Sequence, residues 1–251
     1  MVTEKVLLLV GAAHGIGRAI ALKAAERGVQ LAACDIDVAA LETLRPHLSV
    51  DVLLKEADVT CLKSMQAFVN ETLVRFGRID AVICNAGGMI SLVHEGKVNA
   101  NIRQFQEIPP TDWKSIIDLN LYGPLNIANA VIPTMLDRGD GRIVFVSSVS
   151  GLVGSAGLSV YAAAKGGVIA FAKSLAREVS AKGISINTVA PGGISTRAFP
   201  EGSPSIEKRL RSVAIGRLGT AEEVANVTMY LACDAPQYLT GEVISVSGGP
   251  P

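Results

Sequence analysis

Seven short apolar runs, none longer than a strand, alternate along the chain with stretches long enough to be helices. The runs are VLLLV (6–10), QLAACD (30–35), VDVLLKE (50–56), DAVICN (80–85), RIVFVSS (142–148), ISINTVA (184–190) and EVISVS (242–247). Apolar and polar residues do not strictly alternate within them, so these strands are covered on both faces. Between them lie helical patterns such as GIGRAIALKAAERG and CLKSMQAFVNETLVRFG. Repeated strand–helix–strand units require right-handed crossovers and a parallel sheet. The expectation is an α/β, doubly wound fold with an about seven-stranded parallel sheet and helices on both faces. No linker, charge block or fixed-period repeat divides the 251 residues, so one domain over 1–251 is expected. Its first 140 residues or so would hold the cofactor half, and about 141–251 the catalytic and substrate half.

Composition narrows the class. Hydrophobic residues make up 49% and aromatic ones only 4%, which suits packed parallel strands under helices better than an aromatic-cored sandwich. Lys plus Arg equals Asp plus Glu at 23 each, so no basic excess recommends nucleic acid or an anionic membrane as partner. No run of about 18 uncharged apolar residues is present. Cys34, Cys61, Cys84 and Cys233 form no C-x-x-C pair and have no His at ligand spacing, so no metal site and no disulfide framework is expected. MVTEKVLLLV is too short an apolar run for a signal peptide. A soluble, cytoplasmic protein is the reading.

Helix ends are legible in places. Thr111 is expected as an N-cap with Asp112 in the first turn, and Thr220 with Glu223 has capping-box spacing. Gly28, Gly77 and Gly183 stand where left-handed C-caps precede strands. Two stretches, 86–110 and 191–219, resist this parsing. Long irregular segments of this kind serve as binding loops or lids, and a lid is expected at 192–213.

VGAAHGIGRAI follows the first strand directly and opens the first helix. Gly11, Gly15 and Gly17 let the chain turn tightly and let backbone N–H groups approach a pyrophosphate at a helix N-terminus. A glycine trio alone also fits a plain tight turn. Its place between strand and helix makes a Rossmann-type nucleotide site the stronger reading. Asp35 ends the second strand, where an acid accepts hydrogen bonds from ribose hydroxyls and repels a 2′-phosphate. No Arg or Lys follows within DIDVAALE, so NAD is expected in preference to NADP. Asp37 reads as a helix N-cap.

SVYAAAKGGVIAFAKSL places Tyr161 and Lys165 four apart, one helical turn, in an otherwise apolar run. Ser148 ends the fifth strand thirteen residues earlier. Its neighbour Ser147 is expected on the other face of the strand. Asn120 lies inside a helix, where an amide is not a favoured former. Taken singly, a packed tyrosine with a snorkelled lysine, a strand-end serine and a helix-interior asparagine need no function.

Together, GAAHGIG (11–17), DV (58–59), NAG (85–87), Asn120, Ser148, YAAAK (161–165) and PGGIST (191–196) resemble the short-chain dehydrogenase/reductases, in their branch of about 250 residues. The resemblance runs from the first strand to SGG at 247–249. It implies NAD(P)-dependent oxidation of alcohols or reduction of carbonyls, with Asn120, Ser148, Tyr161 and Lys165 catalytic. It places His14, Ile16, Ile36, Asp58 and Val59 at the cofactor with the glycines and Asp35. Asn85, Ala86 and Gly87 would flank the cofactor, with Tyr161, Lys165, Pro191 and Gly192 beside it. Ile194 and Thr196 would contact the nicotinamide carboxamide, and a homotetramer or homodimer would form.

The chemistry suits these residue types. A free phenol has a pKa of about 10, too high for an efficient base near neutrality. Lys165 one turn away favours phenolate and lowers that value. Ser148 would hydrogen-bond the substrate oxygen, and Asn120 would hold a water linking Lys165 to solvent. The expected function is an NAD-dependent oxidoreductase interconverting a secondary alcohol and a ketone, with Tyr161 as general acid/base. The alternative is a catalytically silent NAD-binding sensor or regulatory protein on the same fold. Departures from the family pattern are Val10 in place of Thr, Ser247 in place of Asp, and a lengthened stretch between Asn85 and Asn120. His94 in that stretch reads as a surface or pocket-wall residue. Arg197, Lys208, Arg209 and Arg211 are a solvated helix face or a site for an anionic substrate.

Overall fold

The first two apolar runs become strands with the expected bounds, β1 (Val6–Val10) and β2 (Gln30–Asp35). The others follow closely: β3 (Val52–Glu56), β4 (Ala81–Cys84), β5 (Gly141–Val146), β6 (Ile184–Pro191) and β7 (Val243–Val246). The computed structural model describes residues 5–88, 93–94, 97–98, 104–196, 210 and 213–249. Its strands form one seven-stranded sheet in the order β3-β2-β1-β4-β5-β6-β7, and every neighbouring pair is parallel.

Side-chain alternation sorts the sheet into two cores. Leu7, Leu9, Leu31, Ile83 and Val144 face α1 (Gly15–Glu26) and α8 (Ala221–Cys233). Leu8, Ala32, Val82, Phe145 and Ile186 face α3 (Leu62–Phe76), α5 (Gly123–Arg138) and α7 (Ser159–Val179). Leu7, Leu8 and Leu9 are fully buried, and each contributes roughly 2 kcal/mol. This double coverage explains why the runs read as continuous apolar stretches.

The chain leaves β1 toward β2 and β3, then returns to β4 on the other side of β1. The order reverses there, so a crevice opens beyond the carboxyl ends of β1 and β4. Asp80 fixes the opposite end. It is 7% exposed and accepts from Val6 N (2.9 Å), Arg78 Nε (2.9 Å) and Arg138 Nη2 (2.8 Å).

Helix ends follow local chemistry. Thr220 caps α8 in a capping box with Glu223, and Asp37 caps the short α2 (Val38–Glu42) through Ala40 N. Gly77 and Gly183 end their helical turns in the left-handed region. One expectation is corrected. α4 (Pro110–Ile117) begins one residue before Thr111, with Pro109 as N-cap and no side-chain cap. Pro110 takes the first helical position, where its missing N–H costs nothing. A π turn, Asp118–Tyr122, then joins α4 to α5.

Within the long 86–110 segment, Val93–His94 and Lys97–Val98 form a short antiparallel pair. Its remaining residues 89–92, 95–96 and 99–103, and the side chain of His94, lie outside the described residues. So do 197–209 and 211–212, with most of the expected lid and Arg197, Lys208, Arg209 and Arg211. Among the described residues no helix is long and apolar enough to cross a membrane, and no cluster of three metal-ligating side chains occurs.

Candidate active site

The glycine loop is packed too tightly for any other residue at Gly11 and Gly17. A Cβ on Gly17 would lie 1.8 Å from Gly11 O, and one on Gly11, at φ +84°, would lie 2.5 Å from Ala86 N. Asn85 Nδ2 donates to Gly11 O (2.8 Å) and Ala86 N to Val10 O (2.9 Å), which joins the turn after β4 to the loop after β1. His14 is the N-cap of α1 in an extended conformation and makes no side-chain cap. The first amides of α1 are thereby left for a ligand. Ile16 packs partly on the core. Thr196 closes over the loop, its Cγ2 3.4 Å from where a Gly15 Cβ would stand. A cradle of bare backbone at a helix N-terminus fits a dinucleotide pyrophosphate.

The rim beyond β2 is acidic. Asp35 Oδ2 accepts from Ala13 N (2.9 Å) and Oδ1 from Asp37 N (3.0 Å). Ile36 is 69% exposed. After β3, Asp58 Oδ1 accepts from Thr60 N (2.8 Å), while Asp58 N donates to Ser64 Oγ (3.0 Å). Val59 is buried against Gly123, and its carbonyl accepts from Asn126 Nδ2 (2.9 Å). Asn126 therefore anchors the 58–60 turn to α5. No motif announced it.

At the far end, Pro191 closes β6 and Gly192 N donates to Val246 O (2.9 Å). Ile194 is 4% exposed, packed in the α1–α8 core with a bridge to Gly219. Its side chain is thus committed to packing, and its backbone is what remains for a ligand.

Ser147 and Ser148 lie just past the end of β5, not within it, and differ in burial. Ser147 is buried and donates to Lys165 O (2.8 Å). Ser148 is half-buried, and its Oγ accepts from Ser150 N (3.2 Å) at the start of α6 (Ser150–Val153). α6 lies directly on α7: a Gly151 Cβ would be 2.7 Å from Gly166 N. That contact docks the serine turn one helical turn beyond Tyr161.

Tyr161 and Lys165 share a face of α7, with Lys165 Nζ 5.9 Å from the centre of the Tyr161 ring. The ring packs with Ile108, Ile116, Val160 and Trp113, and Trp113 stacks on Phe105 at 5.0 Å. Lys165 is 2% exposed and donates to Val146 O (3.0 Å). Burial pushes its pKa down from 10.5 to about 8, with Cys84 pulling the other way. Burial also pushes the Cys84 thiol up to about 12.

Asn120 lies in the π turn, fully buried. Its Oδ1 accepts from Gly88 N (2.8 Å), and Nδ2 donates to Gly88 O (3.1 Å) and Ile116 O (3.0 Å). Both amide hydrogens are engaged, so a water on this side chain would meet only the remaining Oδ1 lone pair. Gly87 fills the space between these groups. A Cβ there would lie 2.8 Å from Lys165 Nζ and 2.9 Å from Asn120 Oδ1.

Known proteins share this plan. A family model described as enoyl-(acyl carrier protein) reductase matches residues 11–250. The 3-oxoacyl-[acyl-carrier-protein] reductase FabG of Thermotoga maritima is 36% identical over 98% of this chain and 97% of its own. The short-chain dehydrogenase/reductase aba4 of Botryotinia fuckeliana is 33% identical over 98% and 96%. The crystal structure of a 3-oxoacyl-[acyl-carrier protein] reductase from Brucella melitensis superposes with a TM-score of 0.88 at 32% identity, covering 98% of this chain and 91% of that one. With the seven-stranded sheet and its glycine loop, these matches establish that the chain belongs to the short-chain dehydrogenase/reductase family of oxidoreductases.

Proposed function

We propose that the chain is an NAD-dependent oxidoreductase that interconverts a secondary alcohol and a ketone. The observation that carries this reading is the shared face of Tyr161 and Lys165, beside the turn that bears Ser148. The bound nicotinamide would supply the hydride acceptor or donor. The cradle at 11–17, Asp35, the turn at Asp58 and Val59, Asn85, Gly87, Pro191, Gly192 and the 194–196 segment would hold the dinucleotide. Preference for NAD rests on Asp35, whose carboxylate is fixed at the rim by Ala13 N and Asp37 N and would repel a 2′-phosphate.

In alcohol oxidation Tyr161 Oη takes the hydroxyl proton; in ketone reduction it returns it. Ser148 donates to the substrate oxygen and stabilises charge there. Lys165 supplies positive charge one turn away, which favours the phenolate. With a pKa of about 8 it also exchanges protons near neutrality. Asn120 clamps Gly88 and so holds the Gly87 turn beside Lys165.

The relatives' names bring a 3-oxoacyl thioester to the front of the substrate panel, and the apolar wall at Ile108, Ile116, Val160 and Trp113 suits an alkyl chain. Self-association to a homotetramer or homodimer belongs to the same proposal. β7 ends the sheet with no described strand on its outer side. Sedimentation equilibrium reads the subunit number.

The test follows NADH absorbance with alcohols, ketones and 3-oxoacyl thioesters under NAD(H) and NADP(H). Turnover with NAD(H) in preference to NADP(H) is expected. Dinucleotide binding with no turnover on any class would favour the silent sensor.

A further inference from the structure

Lys165 is tied at both ends to two consecutive residues where β5 finishes. Its ammonium donates to Val146 O (3.0 Å), and its own main-chain carbonyl accepts from the Ser147 hydroxyl (2.8 Å). Ser147 is buried. Its backbone is fixed in turn on β6, with Ser147 N donating to Val189 O (2.8 Å) and Val149 N to Pro191 O (3.0 Å). The peptide that Ser147 holds is also the one on which α6 rests. A Cβ on Gly151 would stand 2.7 Å from Lys165 C and from Gly166 N, and 3.0 Å from Lys165 O. A Cβ on Gly166 would lie 3.2 Å from Gly151 O. The Lys165–Gly166 peptide therefore meets Ser147 and Gly151, the two residues that flank Ser148 on either side of its turn.

The geometry points to Ser147 as a positioning residue of the active site: its hydroxyl sets where Lys165, and with it Tyr161, stands against the Ser148 turn. This rests on the reading of Tyr161, Lys165 and Ser148 given above. The fold does not require the bond. Lys165 lies inside α7, where a carbonyl accepts from the amide four residues on, so Lys165 O stays satisfied without Ser147. An alanine at 147 would remove the hydroxyl and leave no buried donor behind, which is the inexpensive way to lose a hydrogen bond. What the hydroxyl adds is a fixed distance between two elements. α7 carries Tyr161 and Lys165, whereas Ser148 belongs to the turn between β5 and α6. Catalytic groups on separate elements lose rate steeply when their spacing shifts by about an ångström. A cation that withdraws from a phenol also stabilises the phenolate less.

The test measures kcat for alcohol oxidation by Ser147→Ala across about pH 6 to 10, with NAD affinity titrated calorimetrically on the same samples. We expect kcat to fall about 10-fold and the rising limb of its pH profile to move up by about half a unit. NAD affinity should stay within about threefold of wild type. Ser147→Thr keeps the hydroxyl, and Ser147→Cys keeps a donor without the added methyl group. At least one of the two should recover kcat to within about threefold of wild type. An unchanged kcat in Ser147→Ala overturns the inference. So does a loss with the pH limb unmoved, which a merely structural role would give, or a loss that neither conservative variant recovers. A fall in NAD affinity as large as the fall in kcat overturns it as well. An inactive Tyr161→Phe beside an unaffected Ser147→Ala sinks this inference alone. An active Tyr161→Phe, or a wild type without turnover, removes the catalytic reading and this inference together.

Discussion

Lys165 holds its ammonium nitrogen 5.9 Å from the centre of the Tyr161 ring, one turn along α7, and anchors it on Val146 O at 3.0 Å. A cation in this buried place is costly to the fold. Burial lowers its pKa from 10.5 to about 8, so between those values the unfolded chain binds the proton and the folded chain does not. Stability from this group therefore rises as pH climbs from about 8 toward 10.5, and the full cost is present below 8. Lys165→Met should raise stability by about 2 kcal/mol at neutral pH, after allowing for the lost hydrogen bond. The gain should shrink as pH approaches 10, while turnover falls at least about 100-fold. Paired chemical denaturation of both proteins across this range checks the sign.

Gly87 faces two polar heads across a gap too small for a methyl group, and its φ of +148° disfavours other residues. Gly87→Ala should push Lys165 and Asn120 apart. We expect turnover to drop at least about 10-fold and stability to fall by about 2 kcal/mol. Steady-state rates and urea midpoints measure the two effects separately.

Asp80 sits at the opposite end of the sheet and should matter for stability alone. Burial raises its pKa, but hydrogen bonds from Arg78, Val6 N and Arg138 outweigh that and hold it below the ordinary 3.8. Its contribution is present above the unfolded-state value and is lost as pH falls through the lower folded one. Asp80→Asn should cost about 3 kcal/mol with KM unchanged. Denaturation at pH 7, set beside steady-state kinetics, checks both halves.

The strands were legible because each apolar run is short and is covered on both faces. β1 and β2 accordingly have the bounds read from sequence. The opening of α4 was misplaced because Pro110 needs no capping hydroxyl, which overrode the cap expected of Thr111. The π turn around Asn120 left no periodic signal, since it depends on side-chain bonds to Gly88 and Ile116. Basic groups for the β2–α2 corner were sought in DIDVAALE, yet His14, the N-cap of α1, and Arg18 within it reach Asp37 and Thr43 by tertiary packing. Asn126 and, in part, Asp80 escaped for the same reason: Val59 O, Val6 N and Arg138 lie far along the chain from them, although Arg78 is only two residues from Asp80.

The phenol of Tyr161 is the group on which the proposed chemistry turns. The direct measurement is kcat/KM for Tyr161→Phe beside wild type on the best substrate of the panel, with NAD affinity titrated on the same samples. The account predicts a loss of about 1000-fold in turnover with NAD affinity within about threefold of wild type. A phenylalanine variant turning over within about threefold of wild type would contradict it.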